Sequence, residues 1–258
     1  MGARVKEFKQ YSNLFVELVR KGIKLKYRRS YLGVIWSMIE PLLTMIVLTL
    51  VFGTLLGHHG REFPVYILSG RLIYTLFSQA TTTALKSIRQ NEGMIKKVYV
   101  PKYLYPLSGI VFNYILFLIS LVVLMLVSLV LRVFPTPRLL LAVIPLTVLF
   151  LLSVGVGMIL ATVGVFFRDL EYLWNVALML VMYTCAIFYY PEKILDSSVS
   201  WILKFNPLFC LISNFRSCIF GEAMDMGMLL YASVFALVCV VIGAIVFDKN
   251  EDKFILYI

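Results

Sequence analysis

An all-α polytopic membrane protein is the fold class that this 258-residue sequence predicts, and three observations predict it. Hydrophobic residues make up 61% of the chain and charged residues only 15%, too little polar surface for a soluble enzyme domain. Mean hydropathy is +0.91. The apolar residues also gather into runs near the length of about 20 residues that a spanning helix requires, separated by short polar breaks. The expected architecture is six transmembrane helices, an N-terminal amphipathic interface helix, and two short re-entrant helices before the last span. One domain covers 1–258: a cytoplasmic amphipathic segment over 1–30, a six-helix membrane domain over 31–248, and a cytoplasmic tail over 249–258.

The first element is the amphipathic helix over 11–29. Tyr11, Leu14, Phe15, Leu18 and Leu25 recur at helical spacing, and Lys and Arg fill much of the other face, as in a helix lying in the membrane interface. Arg20, Lys21, Lys24, Lys26, Arg28 and Arg29 immediately precede an apolar run whose one charge is Glu40, and the positive-inside rule assigns them to the cytosol. That run, 36–57, is the first span and ends at the polar loop His58-His59-Gly60-Arg61-Glu62. A second span over 64–87 returns to a basic loop carrying Lys86, Arg89, Lys96, Lys97 and Lys102 against Glu92. The third span covers 103–131, and Pro135 and Pro137 mark the turn that follows. A fourth over 139–167 exceeds the bilayer's need and is tilted or protruding.

Arg168-Asp169-Leu170-Glu171 breaks the chain, with Asp169 placed to cap the next helix. The fifth span covers 172–190. Beyond it, 201–205 and 208–220 are short apolar pieces split by Asn206-Pro207, the pattern of helices that dip in and turn back. Irregular backbone at that depth requires shelter by protein or a cavity. The sixth span covers 226–247. Both termini are expected in the cytoplasm. A seventh crossing hidden between 191 and 225 would instead put the C-terminus outside.

The net charge of +10 does not point to nucleic acid, because the basic clusters flank hydrophobic runs, where topology and anionic headgroups account for them. No signal-peptide pattern opens the chain. Cys185, Cys210, Cys218 and Cys239 lack metal-ligand spacing, so no metal site is expected, and Cys210 and Cys218 are expected as buried thiols rather than a disulfide. The two histidines, His58 and His59, sit in a polar loop, which argues against an intramembrane serine protease. No halves match as they do in many gradient-driven carriers. No G-x-x-x-x-G-K-[ST] phosphate loop occurs, so the chain has no nucleotide cradle of its own.

Several motifs in order carry a resemblance: 28–33 leading into Trp36-Ser37 and Pro41, then Asn91 with Lys96-Lys97-Val98-Tyr99-Val100-Pro101, then Arg168-Asp169, and finally Asn206-Pro207-Leu208 leading to Phe215-Arg216. The chain resembles the permease subunits of ABC exporters for cell-surface polysaccharides, the family of O-antigen, capsule and teichoic-acid exporters. The resemblance implies a homodimer, two copies of a separate cytoplasmic ABC ATPase that binds ATP and Mg, and a lipid-linked glycan as cargo. It implies a transport subunit rather than an enzyme, with no cofactor in this chain. A drug, lipid or haem exporter of the same ABC type is the nearest alternative.

By position, the resemblance implies an ATPase-coupling loop at Asn91, Glu92, Met94, Ile95, Lys96, Lys97 and Val98. Met94, Ile95 and Val98 supply apolar anchors, and the charges supply orientation. It places Tyr27, Arg28, Arg29 and Tyr31 where a lipid headgroup first arrives, and an Arg fork suits phosphate, although basic residues before a first span also serve topology alone. An exit lining is expected at Tyr189, Tyr190, Trp201 and Arg216. Aromatic rings stack on sugars, while Tyr and Trp belts also occur at interfaces without a substrate. Glu40 is expected to snorkel or pair with Arg28 or Arg29, Arg71 to snorkel to headgroups, and Arg216 to pair with Glu222 or Asp225 or be solvated. One departure stands out: Ala186 occupies a position at the end of span five where relatives often carry Pro.

Overall fold

A computed structural model describes residues 10–28, 32–57, 60–98, 100–133, 136–192 and 200–257. The expected positions Arg29, Tyr31, His58, His59, Tyr99 and Pro135 lie outside them. Among the described residues the chain is helical, without strands. Its helices are α1 (Ser12–Tyr27), α2 (Trp36–Leu56), α3 (Phe63–Gln90), α4 (Glu92–Ile95), α5 (Leu104–Val130), α6 (Val143–Phe166), α7 (Leu170–Thr184), α8 (Ser200–Lys204), α9 (Pro207–Phe220), α10 (Met226–Asn250) and α11 (Phe254–Tyr257). Among the described residues four stretches are long and apolar enough to cross a membrane: Trp36–Leu55, Leu104–Val130, Pro137–Phe166 and Met226–Tyr257.

The centre of the bundle is α3, onto which α2, α5, α6, α7 and α9 all pack. Its 28 residues give a length of about 42 Å at 1.5 Å per residue, more than a bilayer core. Its middle nevertheless holds Ser78, Gln79, Thr81, Thr82 and Thr83, because a helix wrapped by other helices has little lipid to face. The buried hydroxyls are satisfied within the helix: Thr81 donates to Phe77 O at 2.7 Å and Ser87 to Ala84 O at 2.7 Å. The helix runs three residues past the expected end of span two, through Arg89 to Gln90, so the loop that follows starts only at Asn91.

Close approach builds the second seam, between α6 and α10. A Cβ on Gly155 would lie 2.6 Å from the main-chain carbon of Cys239, so the two backbones touch there, as small residues permit between membrane helices. On α2, Pro41 lacks the N–H that Ser37 O would otherwise receive in the helix. Ser120 Oγ of α5 donates to that carbonyl at 3.0 Å, which ties the loosely packed α2 to the bundle.

The ends of the bundle separate into two clusters. Leu18 of α1, Ile88, Ile95, Leu104, Tyr105, Val165, Phe247 and Phe254 form one, so α1, the loop after α3 and the C-terminal tail share one end. Phe63, Tyr66 and Ile67 form the other with Leu48, Phe52, Tyr190 and Phe220. The expected stripe of α1 is present at Leu18 and, half-buried, at Tyr11, Leu14 and Phe15, but Leu25 is exposed. The stripe bends instead toward Val19, Ile23 and Tyr27, which pack on Phe112 and Leu116 of α5.

Span five departs most from expectation. Helix α7 ends at Thr184 after 15 residues, about 22 Å, and 185–188 run on as buried, non-helical chain. Asp169 occupies the N-cap position of α7, but its side chain accepts no capping bond. The split at Asn206-Pro207 is as expected: Asn206 Oδ1 accepts from Leu208 N at 3.0 Å and Phe209 N at 3.4 Å, and Pro207 occupies the first helical turn, where a missing N–H costs nothing. All four cysteines are free thiols.

Candidate functional site

At the end of the bundle marked by Tyr66, the break after α7 is held by one side chain. Ala186 has φ +47°, a left-handed conformation that costs an alanine about 1 kcal/mol or more and that no proline adopts, since its ring fixes φ near −65°. Arg216 of α9 reaches into the break. Its Nη1 donates to Ala186 O at 2.9 Å, Nη2 to Ile187 O at 3.5 Å, and Nη2 and Nε to Tyr66 O at 2.9 and 3.2 Å. The guanidinium lies 3.4 Å from the centroid of the Tyr66 ring, and Tyr66 Oη donates to Ala186 O at 3.2 Å and Tyr189 O at 3.0 Å. Arg216 is only 5% exposed and makes no ion pair with Glu222 or Asp225. The expected carboxylate pairing is replaced by main-chain carbonyls, because the unwound strand supplies acceptors that a helix would have consumed.

Beside this clamp opens a polar cavity of about 620 Å³, whose wall includes Glu62, Tyr66, Arg132, Tyr190, Glu192, Ser213, Arg216 and Glu222. Of the expected exit residues, Tyr190 and Arg216 meet here, and the Tyr190 ring packs 4.6 Å from that of Tyr66. Tyr189 turns away, its hydroxyl donating to Tyr183 O at 2.9 Å. Trp201 stands on the exposed face of α8, 65% accessible. The structure therefore does not bring these four together.

At the other end, α4 is a single turn that begins after Asn91, whose Nδ2 donates back to Ser87 O of α3 at 2.8 Å and does not cap α4. Lys96 Nζ bonds Glu92 Oε1 at 2.6 Å, and that bond, with the charge behind it, holds the Glu92 carboxyl below its usual range. Met94, Lys96, Lys97 and Val98 face outward. Ile95 is buried against Leu18, Leu104 and Phe254, so it anchors the loop to its own bundle and is not an outward anchor. Lys102 secures the far side of the loop: its Nζ donates to Glu251 O at 2.6 Å and its N–H to Glu251 Oε1 at 3.3 Å.

The α1 residues divide. Tyr27 packs on α5, and burial raises its phenol pKa. Arg28 is exposed and forms no ion pair with Glu40. Lys26, which the sequence places only among the topology-setting cations, is exposed along its stem but reaches α3 and α5 with its tip: Nζ donates to Gln79 Oε1 at 3.4 Å and lies 5.8 Å from the Phe112 ring. Burial lowers its pKa, with Glu40 acting against the shift. Arg71 rests against α7 and the Tyr74 ring of its own helix. Its Nη1 lies 3.5 Å from Met182 Sδ, and its guanidinium 5.7 Å from the Tyr74 ring, at the edge of a crevice that Lys26, Glu40, Thr75 and Gln79 also line.

The family profile described as "ABC-2 type transporter" matches residues 13–220. The chain belongs to the ABC-2 type transporter family. This ABC-2 chain is 26% identical over 244 residues to the O-antigen export system permease protein RfbA of Klebsiella pneumoniae, covering 94% of the chain and 93% of that relative. To RfbA of Myxococcus xanthus it is 25% identical over 252 residues, 97% of each. To the polysialic acid transport protein KpsM of Escherichia coli it is 25% identical over 243 residues, 91% of the chain and 92% of the relative. Sequence reasoning missed Tyr66 and Lys26 in this transporter. A tyrosine in an apolar run carries no signal of its own, whereas Lys26 could have been found from its helical register with Ile23 and Tyr27. Among the described residues no cluster of His, Cys, Asp or Glu could hold a metal ion.

Proposed function

We propose that this ABC-2 chain is the membrane-spanning permease subunit of an ATP-driven exporter that moves a lipid-linked polysaccharide across the cytoplasmic membrane. The observation that carries the reading is similarity along nearly the whole length to permeases named for O-antigen and polysialic acid transport. The chain has no phosphate loop, so energy comes from separate ATPase subunits, two per homodimer. In this reading α2, α3, α5, α6, α7 with its non-helical extension, and α10 make six crossings. Helices α8 and α9 form a re-entrant pair on the outer side. The shared end cluster of α1, α4 and α11 supports a common, cytoplasmic side for both termini and the 91–98 loop.

That loop docks the ATPase through Met94 and Val98, with Lys96 and Lys97 setting orientation, while Tyr27, Arg28, Arg29 and Tyr31 meet the arriving headgroup. At the outer end Arg216 fixes the shape of the exit, and Tyr190 presents an aromatic wall to the sugar. Deletion of the gene should abolish the surface glycan and leave its lipid-linked form inside the cell; unchanged surface glycan would overturn the reading. Reversal of Lys96 and Lys97 to Glu should reduce ATPase co-purification about tenfold or more, the scale expected when two rim charges change sign. Normal recovery of the ATPase with an inserted variant would remove the loop from that role.

A further inference from the structure

The polar cavity beside the Arg216 clamp holds charges of both signs that nothing in the fold neutralises. Glu62 stands directly before α3, and Arg132 stands just after the membrane-crossing stretch Leu104–Val130, so the cavity lies at the level where lipid headgroups meet water. Arg132, Glu62, Glu192 and Glu222 line it, are exposed, and form no ion pair among the described residues. Ser213 and Ser217, one helical turn apart on α9, line the same wall, and their hydroxyls bond no described residue. Behind them the buried guanidinium of Arg216 gives its bonds to main-chain carbonyls, and its charge has no carboxylate partner among the described residues. One side of the cavity thus suits an anion, through Arg132 and two hydroxyls, and the other a hydrogen-bonding cation, through three carboxylates.

Two apolar grooves adjoin this cavity. Val133 and Ile219 belong both to it and to a groove of about 170 Å³ between α5, α6 and α9, where Leu124, Ser128, Leu146 and Phe215 form the walls. On the other side Glu62 and Arg132 adjoin Pro64 and Leu131, which open a groove of about 430 Å³ between α2 and α5 over Met45, Leu126 and Val130. At 3.6 residues per turn, Leu124 and Ser128 lie on the side of α5 opposite Leu126 and Val130. A molecule with one polar head and two apolar tails therefore straddles the end of α5, its head between the charges and a tail on each side.

We propose that this end of the chain holds one two-chain aminophospholipid as a resident of the fold. Its phosphate sits at Arg132, Ser213 and Ser217, its ammonium among Glu62, Glu192 and Glu222, and its acyl chains in the two grooves flanking α5. A polyprenyl phosphate is a poor fit, because it has a single chain and would bring only negative charge to a wall with three carboxylates. The lipid is thus distinct from any exported cargo, and the site requires only that the chain cross a membrane.

Native mass spectrometry of the full-length chain, released into mild detergent from membranes containing phosphatidylethanolamine and phosphatidylglycerol, tests this. One phosphatidylethanolamine per chain should survive activation that strips phosphatidylglycerol. In titrations of the delipidated chain, dioleoyl-phosphatidylethanolamine should bind about tenfold or more tightly than dioleoyl-phosphatidylcholine, whose trimethylammonium donates no hydrogen bond to a carboxylate; this is the scale of one charge-assisted bond. Glu62→Gln combined with Glu192→Gln and Glu222→Gln should erase that preference. Arg132→Gln should weaken both lipids alike, since both carry the phosphate. All four side chains are exposed, so these substitutions leave the packed core untouched. The single-chain lysophosphatidylethanolamine should bind more weakly than the two-chain lipid. Equal affinity for the three diacyl lipids, a preference unmoved by the triple variant, undiminished binding of the single-chain lipid, or tighter binding of a polyprenyl phosphate would each overturn the site, while loss of surface glycan on gene deletion tests the export reading separately.

Discussion

Replacing Arg216 with Met removes the clamp on the unwound segment while keeping most of the side-chain volume. The two bonds at 2.9 Å, to Tyr66 O and Ala186 O, are charge-assisted and contribute about 1.5–3 kcal/mol each. The contact at 3.4 Å from the Tyr66 ring adds roughly 2 kcal/mol for a desolvated cation. Against this gross sum of about 5–8 kcal/mol stands the desolvation of the guanidinium, several kcal/mol, which Met avoids. The bonds win because Ala186 O and Ile187 O have no helical partner waiting, and a net loss of about 2–4 kcal/mol follows. At about 2–4 °C per kcal/mol for a chain of this size, the unfolding midpoint should fall by roughly 10 °C in a detergent thermal-shift assay. Arg216→Lys should recover less than half, since an ammonium cannot fork to three carbonyls. A midpoint for Arg216→Met within about 2 °C of wild type, or full recovery by Lys, would refute the clamp.

Gly155→Ala should separate α6 from α10, because its Cβ would meet main-chain atoms of Cys239 and Val240 at 2.6 Å; a loss of about 1–3 kcal/mol is expected in the same thermal assay. Phe254→Ala should free the tail, since this ring is fully buried and packs 5.1 Å from Phe247. Removing it costs about 3–5 kcal/mol at a core site. Cleavage by trypsin at Lys253 should then accelerate at least tenfold or so, with the rest of the chain intact.

The readable parts of this fold were those written in local pattern. The run over 36–57, the stripe of Tyr11, Leu14, Phe15 and Leu18, and the Asn206-Pro207 break each carry their cause within a few residues, and each appears where expected. The central place of α3 was not readable. Its threonines and serines lower its hydropathy, and only the surrounding helices explain why that is tolerated. The partners of Arg216 were hidden for another reason: they are main-chain oxygens 150 and 30 residues away, and carbonyls have no letter in a sequence. Ala186 likewise gives no sign that its φ is positive. Ile95 looked like an outward anchor because a single turn of helix is too short for periodicity to assign its faces. Arg28 was named for the headgroup by its position and its fork, whereas the register of α1 on α5 brings the tip of Lys26 to Gln79 and leaves Arg28 exposed.

The bonds from Lys102 to Glu251, together with the buried ring of Phe254, fasten the short turn after α3 to the end of α10. A push on that turn therefore has two lever arms, one through the middle of the bundle and one through its last helix. The last helix is in turn seated backbone to backbone on α6 at Gly155. Any displacement of that turn would thereby be shared by helices far apart in the chain, and an appendage fused after Tyr257 would emerge beside it.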